Sequence, residues 1–248
     1  MFVGGTSGVG EGTLRAFAQA AQGRAHIVIV GRDSTRAEEI IASFPKTDES
    51  QYDFIQCDAT LLKNVVIAAN EAKSKISGSL NYLVFVDELL PLLDKAARSG
   101  QDARVMSIMD PKNARLLDVE DFGVKKKYSL TQSAQQIGAY NSAMVQEYSP
   151  IHPNLSFSHI YPGLVKTRVA RDAPWYVKPV ISGLLLLGKT SEECGEWMFS
   201  ALINDKYKTG GWLIGEFGEE LDVQRDSPEN RALLLDHYRK QVTEATKA

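Results

Sequence analysis

The 248-residue sequence has few cysteines, no excess of basic charge and no long apolar run. Its two cysteines, Cys57 and Cys194, lie far apart and lack metal-ligand spacing, which argues against a disulfide framework or a zinc site. A reducing, cytoplasmic compartment is the simplest inference. With 28 basic and 31 acidic residues, the net charge of −3 gives no electrostatic footprint for nucleic acid. We therefore expect neither a bound metal nor a nucleic-acid partner.

Apolar residues are plentiful but broken into short runs. The longest cluster, near Val180 to Leu187, is interrupted by glycine and too short to span a bilayer, and the N-terminus carries no signal-like segment. A hydrophobic content of 44% over this length suffices for one large core, and no repeat or linker divides the chain. We expect a soluble protein in which residues 1–248 form a single domain.

Short apolar runs alternate with segments of helical length along the whole chain. The runs predicted as buried strands are His26–Val30, Phe54–Cys57, Tyr82–Val86, Val105–Met109, Phe157–Tyr161 and Trp212–Ile214. The segments predicted as helices are Gly8–Ala21, Thr35–Ser43, Leu61–Ser77, Glu88–Ser99, Lys125–Tyr148, Ser191–Ile203 and Glu229–Ala245. This alternation predicts an α/β protein with a doubly wound, mostly parallel sheet covered by helices on both faces.

A glycine-rich stretch follows the first apolar residues and precedes a helical segment. A dinucleotide pyrophosphate can approach a helix N-terminus only where no Cβ blocks it, and there it meets unpaired N–H groups and a favourable dipole. The stretch supplies the candidate phosphate-binding residues Gly4, Thr6, Ser7, Gly8, Val9 and Gly10. A flexible glycine-rich terminus is the alternative interpretation.

The ends of the second and third predicted strands carry further candidate ligands. Arg32 follows the second strand, where its guanidinium suits a 2′-phosphate and favours NADP over NAD. A solvated arginine is the alternative, and the neighbouring Asp33 complicates the charge argument. Asp58 and Ala59 follow the third strand, where a carboxylate can accept a hydrogen bond from an adenine amino group or cap the next helix.

In their order along the chain, these motifs resemble the short-chain dehydrogenase/reductase family. Its carriers here are Gly4-x-x-x-Gly8-x-Gly10, Gly31-Arg32, Cys57-Asp58-Ala59, the strand from Arg104 to Ile108, Tyr128-Ser129, and Tyr161-Pro162-Gly163-Leu164-Val165-Lys166-Thr167. The resemblance implies a Rossmann-like sheet, a nicotinamide cofactor and interconversion of carbonyls and alcohols. It also implies that Pro162, Gly163, Val165 and Thr167 contact the cofactor, although a structural turn is an alternative role for this segment.

The catalytic positions depart from the family pattern. In the family a tyrosine is the general acid, and a lysine four residues later binds the nicotinamide ribose and lowers the tyrosine pKa. The resemblance assigns the tyrosine to Tyr128, and the position four residues later is Gln132, which carries no charge. The substrate-orienting serine of the family falls on Asp110, either ionised or protonated in an apolar pocket. Strand alternation would place Ser107 on the opposite face.

Two family segments are shortened in this sequence. Phe85-Val86-Asp87-Glu88 stands where the family has Asn-Asn-Ala-Gly, and most of the fourth helix has no counterpart. The first strand is reduced to Met1-Phe2-Val3. A truncated product or an evolved loss of function would explain both. The shortened fourth helix also calls into question the homo-oligomers that the resemblance implies.

Two functions follow from these observations. The first is an NADP(H)-dependent oxidoreductase that interconverts a ketone and a secondary alcohol on a small apolar molecule. The apolar segment Trp175–Leu187, which in the family covers the substrate, supports it, and a looser likeness to divergent fungal members suggests secondary metabolism. The second is a pseudoenzyme that binds cofactor or ligand, or a non-redox cyclase, as Gln132 and Asp110 suggest.

Overall fold

A computed structural model describes residues 1–83, 89–126, 128–167, 175 and 178–247, without the side chains of 180–182 and 184. The strands are β1 (Phe2–Val3), β2 (His26–Gly31), β3 (Gln51–Gln56), β4 (Tyr82–Leu83), β5 (Arg104–Ile108), β6 (Ser156–Ile160) and β7 (Gly210–Ile214). The helices are α1 (Gly8–Ala21), α2 (Ser34–Ala42), α3 (Leu62–Lys75), α4 (Leu90–Arg98), α5 (Leu130–Ile151), α6 (Lys178–Leu185), α7 (Ser191–Ile203) and α8 (Pro228–Lys247). A short 3-10 helix spans Asp205–Tyr207.

The strands pair in parallel, in the order β1-β2-β3 in one sheet and β4-β5-β6-β7 in the other. Side chains of β2 alternate between two cores. Ile27 and Ile29 pack in a cluster with α1 and α2, whereas Val28 and Val30 pack in a cluster that includes α3 and α8. Successive side chains of a strand point to opposite faces, so a strand that is apolar on both faces needs helices on both. The doubly wound α/β fold class is confirmed.

The two sheets meet at β1 and β4, where no backbone ladder joins them within the described ranges. The Met1 amino group donates to the Tyr82 carbonyl over 2.8 Å. Beside this contact, the rings of Phe17 and Tyr82 meet edge to face with centroids 5.6 Å apart. The junction is therefore closed mainly by side-chain packing.

The predicted bounds of α1 and α7 match the structure. The other predicted helices begin and end within a few residues of those observed, except at the start of the fifth helix. The prediction placed the fifth helix from Lys125, whereas α5 begins at Leu130 after its N-cap Ser129. Helix α6 was not predicted, because its apolar run is interrupted by glycine. The residues Phe85-Val86-Asp87-Glu88, the end of the predicted strand Tyr82–Val86 and part of Trp175–Leu187 lie outside the described residues.

Helices α1 and α7 cross at two glycines. A Cβ on Gly12 would lie 1.9 Å from the Ser191 carbonyl oxygen, and one on Gly195 would lie 2.1 Å from the Gly12 carbonyl carbon. This crossing holds the N-terminal turn of α1 against the second sheet's helical layer.

None of the helices that the structure describes is long and apolar enough to cross a membrane.

Candidate functional site

A cleft of about 880 Å³ opens where the strands end and both sheets meet. One end is formed after β2 and β3, and the other by the end of β5, helix α5 and the segment after β6. The cleft is lined by, among others, Gly4, Thr6, Ser7, Val9, Gly10, Arg32, Asp58, Ala59, Ser107, Asp110, Ile137, Asn141, Tyr161 and Pro162. Ligands of doubly wound sheets bind at such a position, beyond the carboxyl ends of the strands.

The glycine-rich loop forms the floor of this cleft. Gly4 has a φ of +78° and Gly8 a φ of +56°, which L side chains rarely adopt. A Cβ on Gly10 would lie 2.4 Å from the Gly4 carbonyl oxygen, so the loop closes onto α1 only with glycine there. The N-cap Ser7 makes no side-chain capping bond. The first N–H groups of α1 are thus presented to the cleft, as an anionic ligand requires.

At the end formed by β2 and β3, the two charged neighbours have separate roles. Asp33 is the N-cap of α2, and its carboxylate accepts the Arg36 N–H over 2.9 Å. Arg32 is exposed and lines the cleft. The acidic neighbour that complicated the sequence argument is therefore engaged by the helix, and Arg32 is left to face a ligand.

Asp58 lines the same end of the cleft and belongs to a turn before α3. Its carboxylate accepts hydrogen bonds from the Thr60 N–H over 3.1 Å and the Thr60 hydroxyl over 2.9 Å. These bonds, followed by the positive charge of Arg32, hold the pKa of Asp58 below its ordinary value. The N-cap of α3 is Leu61, so Asp58 shapes the turn that leads into the helix instead of capping it.

A second cavity of about 550 Å³ lies on the other side of the same loop. Gly8 and Thr167 line it, as do Thr6 and Ser7. Glu11, in the first turn of α1, also lines it, and its carboxylate accepts from Arg36 over 2.8 Å and from Arg15 over 2.9 Å. The acidic side chain nearest the helix N-terminus is thus paired with two cations.

Two predicted cofactor contacts do not line either cavity among the described residues. Val165 is buried in the cluster that contains Met106 and Ile160. A Cβ on Gly163, whose φ is +74°, would fall on the Glu216 carboxylate. The roles predicted for both in cofactor binding stay predictions.

At the opposite end, Asp110 and Ser107 both line the cleft, which corrects the expectation that they occupy opposite faces. Strand β5 ends at Ile108, so the alternation does not extend to Asp110. The carboxylate oxygens of Asp110 accept from the Asn113 backbone N–H over 3.0 Å and from its side-chain amide over 2.8 Å. Asp110 is therefore held as a hydrogen-bond acceptor at the cleft.

The structure does not place the predicted catalytic pair, Tyr128 and Gln132, on one face of a helix. Tyr128 precedes the N-cap Ser129, is 68% exposed and is not among the described residues that line the cleft. Gln132 lies in the first turn of α5, where its N–H donates to the Ser129 hydroxyl over 3.1 Å. The assignment of Tyr128 as general acid and of Gln132 in place of the lysine stays a prediction, and this geometry does not support it because α5 begins two residues after Tyr128.

Helix α5 instead presents Ile137 and Asn141 to the cleft. These positions are four residues apart and so share one face of the helix. The neighbouring Gly138 fixes which face of α5 lies towards the cleft, because a Cβ there would lie 2.6 Å from the Asp110 carbonyl oxygen. Asn141 accepts from the Ser107 hydroxyl over 2.6 Å and donates to the Ile137 carbonyl over 2.8 Å. Neither residue is an acid or a cation.

Tyr161 also lines this end, at the end of β6. Its N–H donates to the Ile214 carbonyl over 2.9 Å, which fixes its backbone beside β7. Burial, then the carboxylates of Asp110 and Glu216, raise the pKa of Tyr161 above its ordinary value. From the sequence, Tyr161 was interpreted only as part of a motif, although its position at the end of a predicted buried strand was an available signal.

A nicotinamide dinucleotide fits these residues. The glycine loop supplies a cradle in front of the N-terminus of α1, Arg32 supplies a cation at one end, and Asn141 and Tyr161 supply polar groups at the other. Along the cleft, Arg32 comes first, the glycine loop next, and Asn141 and Tyr161 last. This is the order of the 2′-phosphate, pyrophosphate and nicotinamide groups in the dinucleotide.

Comparisons with known proteins agree with this fold. No family model matches the chain. An oxidoreductase of Emericella nidulans is 26% identical over 200 residues, which cover 68% of this chain and 59% of that protein. The NmrA-like family domain-containing oxidoreductase notO of an Aspergillus species is 27% identical over 253 residues, which cover 86% of this chain and 72% of that protein. The chain spans less than two thirds of the Emericella relative's own length.

Solved structures share the architecture at low sequence identity. The NADP complex of Pseudomonas aeruginosa RhlG has a TM-score of 0.61 and is 17% identical, with 88% of this chain and 93% of that chain covered. The NADPH-bound carbonyl reductase from chicken fatty liver has a TM-score of 0.59 at 17% identity, with 90% and 97% covered. The likeness shows the fold, and the resemblance to the short-chain dehydrogenase/reductase family is confirmed at the level of the fold.

Proposed function

We propose that the cleft binds NADP(H) and that the protein is an oxidoreductase interconverting a ketone and a secondary alcohol on a small apolar molecule. The observation that carries this proposal is the continuous cleft from Arg32 to Tyr161 over the N-terminus of α1. The oxidoreductase names of the sequence relatives support the activity. The NADPH- and NADP-bound structures of similar fold support the cofactor.

The residues of the cleft have distinct binding roles in this proposal. Arg32 pairs with the 2′-phosphate, and the N–H groups that begin α1 hold the pyrophosphate. Asp58 and Ala59 border the adenine. Asn141, held by its hydrogen bonds to Ser107 and Ile137, offers its remaining amide hydrogen to the nicotinamide ribose.

The opposite end would receive the substrate. Ile108, Met109 and Ile137 give it apolar walls, which suit a small apolar molecule. When bound, the nicotinamide supplies or accepts a hydride at the substrate carbon. The protein must then supply a proton to the carbonyl oxygen or remove one from the alcohol.

A second candidate is a cofactor-binding protein without redox turnover, on the same fold. The cleft-facing pair Ile137 and Asn141 favours it, because neither can give the substrate a proton or lower the pKa of a neighbouring tyrosine. Cofactor binding is common to both candidates, so turnover separates them.

The test is a titration with NADPH and NADH, followed by turnover measurements. NADPH should bind more tightly, and Arg32→Ala should narrow the difference by about 1–3 kcal/mol, the range of a charge-assisted contact. Consumption of NADPH with acetophenone, cyclohexanone or phenanthrenequinone supports the oxidoreductase. Binding without turnover of any carbonyl favours the second candidate, and equal affinity for the two cofactors contradicts the role of Arg32.

The remaining parts of the proposal concern organisation and setting. We propose that residues 1–248 form one domain, since one core cluster joins residues from Met1 to Leu235. Both cysteines are free and buried, which supports a cytoplasmic compartment. A role in secondary metabolism and self-association in solution are also proposals.

A further inference from the structure

We infer that Tyr161 is the proton donor of the carbonyl reduction, in the position left by the absence of an acid on α5. This inference rests on the proposed oxidoreductase function and deepens it. It assigns a catalytic role to the residue before Pro162, at the end of β6, and removes that role from Tyr128.

The other polar side chains at this end of the cleft are already committed. The Ser107 hydroxyl donates its proton to the Asn141 side-chain oxygen over 2.6 Å. The Asp110 carboxylate accepts from two N–H groups of Asn113. An amide such as that of Asn141 does not act as an acid near neutral pH. Among the described residues that line this end, the proton source left is Tyr161.

The surroundings of Tyr161 leave its hydroxyl protonated and available. Its side chain is half-buried, and in the described part of the chain its hydroxyl has no protein hydrogen-bond partner. The hydroxyl is therefore free to meet a carbonyl oxygen. Burial, then the carboxylates of Asp110 and Glu216, raise the pKa of Tyr161, so the group is protonated before the reaction but is a weaker acid than an ordinary tyrosine.

As the carbonyl carbon gains the hydride, the π pair of the C=O bond moves to oxygen. The O–H bond of Tyr161 breaks, its proton forms the O–H bond of the new alcohol, and Tyr161 is left as tyrosinate. Because the side chain is partly exposed, water reaching the open cleft returns the proton. Burial and the same carboxylates make tyrosinate costly, so alcohol oxidation, which needs tyrosinate as its base, should be slow near neutral pH.

The experiment compares Tyr161→Phe with the matched control Tyr128→Phe, which removes a hydroxyl from an exposed ring outside the cleft. Each protein is titrated with NADPH, and reduction of the three carbonyl probes is followed by NADPH consumption. Tyr161→Phe should lower kcat by about 100-fold or more and leave the Kd for NADPH within twofold. Tyr128→Phe should match the native protein in both.

A second readout does not depend on turnover. In protein made with isotope-labelled tyrosine, the NMR signal lost in Tyr161→Phe should shift when NADP⁺ is added, and the signal lost in Tyr128→Phe should not. The assignment is overturned if the native protein reduces a probe and Tyr161→Phe reduces it at the same rate. It is also overturned if the Tyr161 NMR signal does not shift when NADP⁺ binds. In both cases the proposed function stands. If NADPH binds and no probe is reduced, the oxidoreductase function fails, and this assignment fails with it.

Discussion

The two ends of the cleft differ in how closely they follow the family pattern. One end, which we call the binding end, is built by the glycine loop, Arg32 and Asp58 and has the residue types that a dinucleotide requires. The other, which we call the reactive end, is built by Asp110, Ile137, Asn141 and Tyr161 and has neither the tyrosine nor the lysine expected on α5. The end proposed to bind the cofactor therefore has the residue types of the family, and the end proposed to carry the chemistry does not.

The difference has a physical basis. The cradle depends on backbone geometry, since Gly4, Gly8 and Gly10 each occupy a place where a side chain is strained or blocked. Few sequences satisfy such a geometry, so it is constrained. The reactive end depends instead on the chemistry of single side chains, among them Asn141 and Tyr161.

Gly10→Val should break the binding end and give the largest effect. The new Cβ would lie 2.4 Å from the Gly4 carbonyl oxygen, so the loop must move away from α1. The Kd for NADPH should rise by about 1,000-fold or more, which is about 4 kcal/mol. Gly78→Val is the matched control, because a Cβ there meets nothing within 4 Å. Tight NADPH binding by Gly10→Val would show that the loop is not the cradle.

The reactive end should carry a pH-dependent cost in stability that the binding end lacks. His159, on β6 beneath this end, is fully buried with its Nδ1 3.0 Å from the Ser142 hydroxyl and its Nε2 without a partner among the described residues. Burial lowers the pKa of His159 from 6.5 to about 4, and the Asp110 carboxylate opposes this only in part.

The direction of this pH dependence follows from proton binding by His159. Below about pH 6.5 the unfolded chain protonates this histidine and the folded chain does not, so the free energy of unfolding falls as the pH drops towards 4. The full loss is about 3 kcal/mol. Denaturant melts from pH 7 to 4 should show a shallower loss for His159→Gln than for the native protein. Arg32→Ala, at the binding end, should follow the native curve, and parallel native and His159→Gln curves would contradict the account.

Restoring the family's tyrosine and lysine on α5 should raise the activity of the reactive end. Ile137→Tyr with Asn141→Lys places an acid and a cation on the face of α5 that lines the cleft. Carbonyl reduction should rise by about tenfold, less than the full worth of a general acid, because the bond between Ser107 and Asn141 is lost. Gln132→Lys alone is the control and should leave turnover unchanged. A gain from the control instead of the pair would mean that Gln132 is the residue near the substrate.

The smallest expected effect concerns the junction of the two sheets. An apolar strand of about four residues added before Met1 should extend β1 against β4 and raise the Tm by about 2–4 °C, the equivalent of about 1 kcal/mol. A polar extension of equal length serves as control. Equal melting temperatures for the two extensions would indicate that side-chain packing already closes the junction.

The fold and the binding end could be predicted from the sequence because their signals are local. Glycine spacing and apolar periodicity fixed the bounds of α1, and a capping box of Thr190 and Glu193 starts α7 at the predicted residue. The ends of β2 and β3 then located Arg32 and Asp58.

The reactive end could not be predicted in the same way. Its residues depend on where α5 begins and on the close contact of Gly138 with the Asp110 backbone, which joins two distant parts of the chain. Serine is a common N-cap residue, but the predicted helix began at Lys125, before the N-cap Ser129. The isoleucine and asparagine that face the cleft carry no chemical signature, so only the structure identifies them.

We propose that one cleft holds NADP(H) with its phosphate end at Arg32 and its nicotinamide end at Tyr161. A crystal structure of the NADP⁺ complex would locate each of these groups. We expect the 2′-phosphate within hydrogen-bond distance of Arg32, the pyrophosphate at the N-terminus of α1, and the nicotinamide beside Asn141 and Tyr161. A cofactor bound elsewhere, or bound in the cleft with its nicotinamide at Arg32, would contradict this proposal.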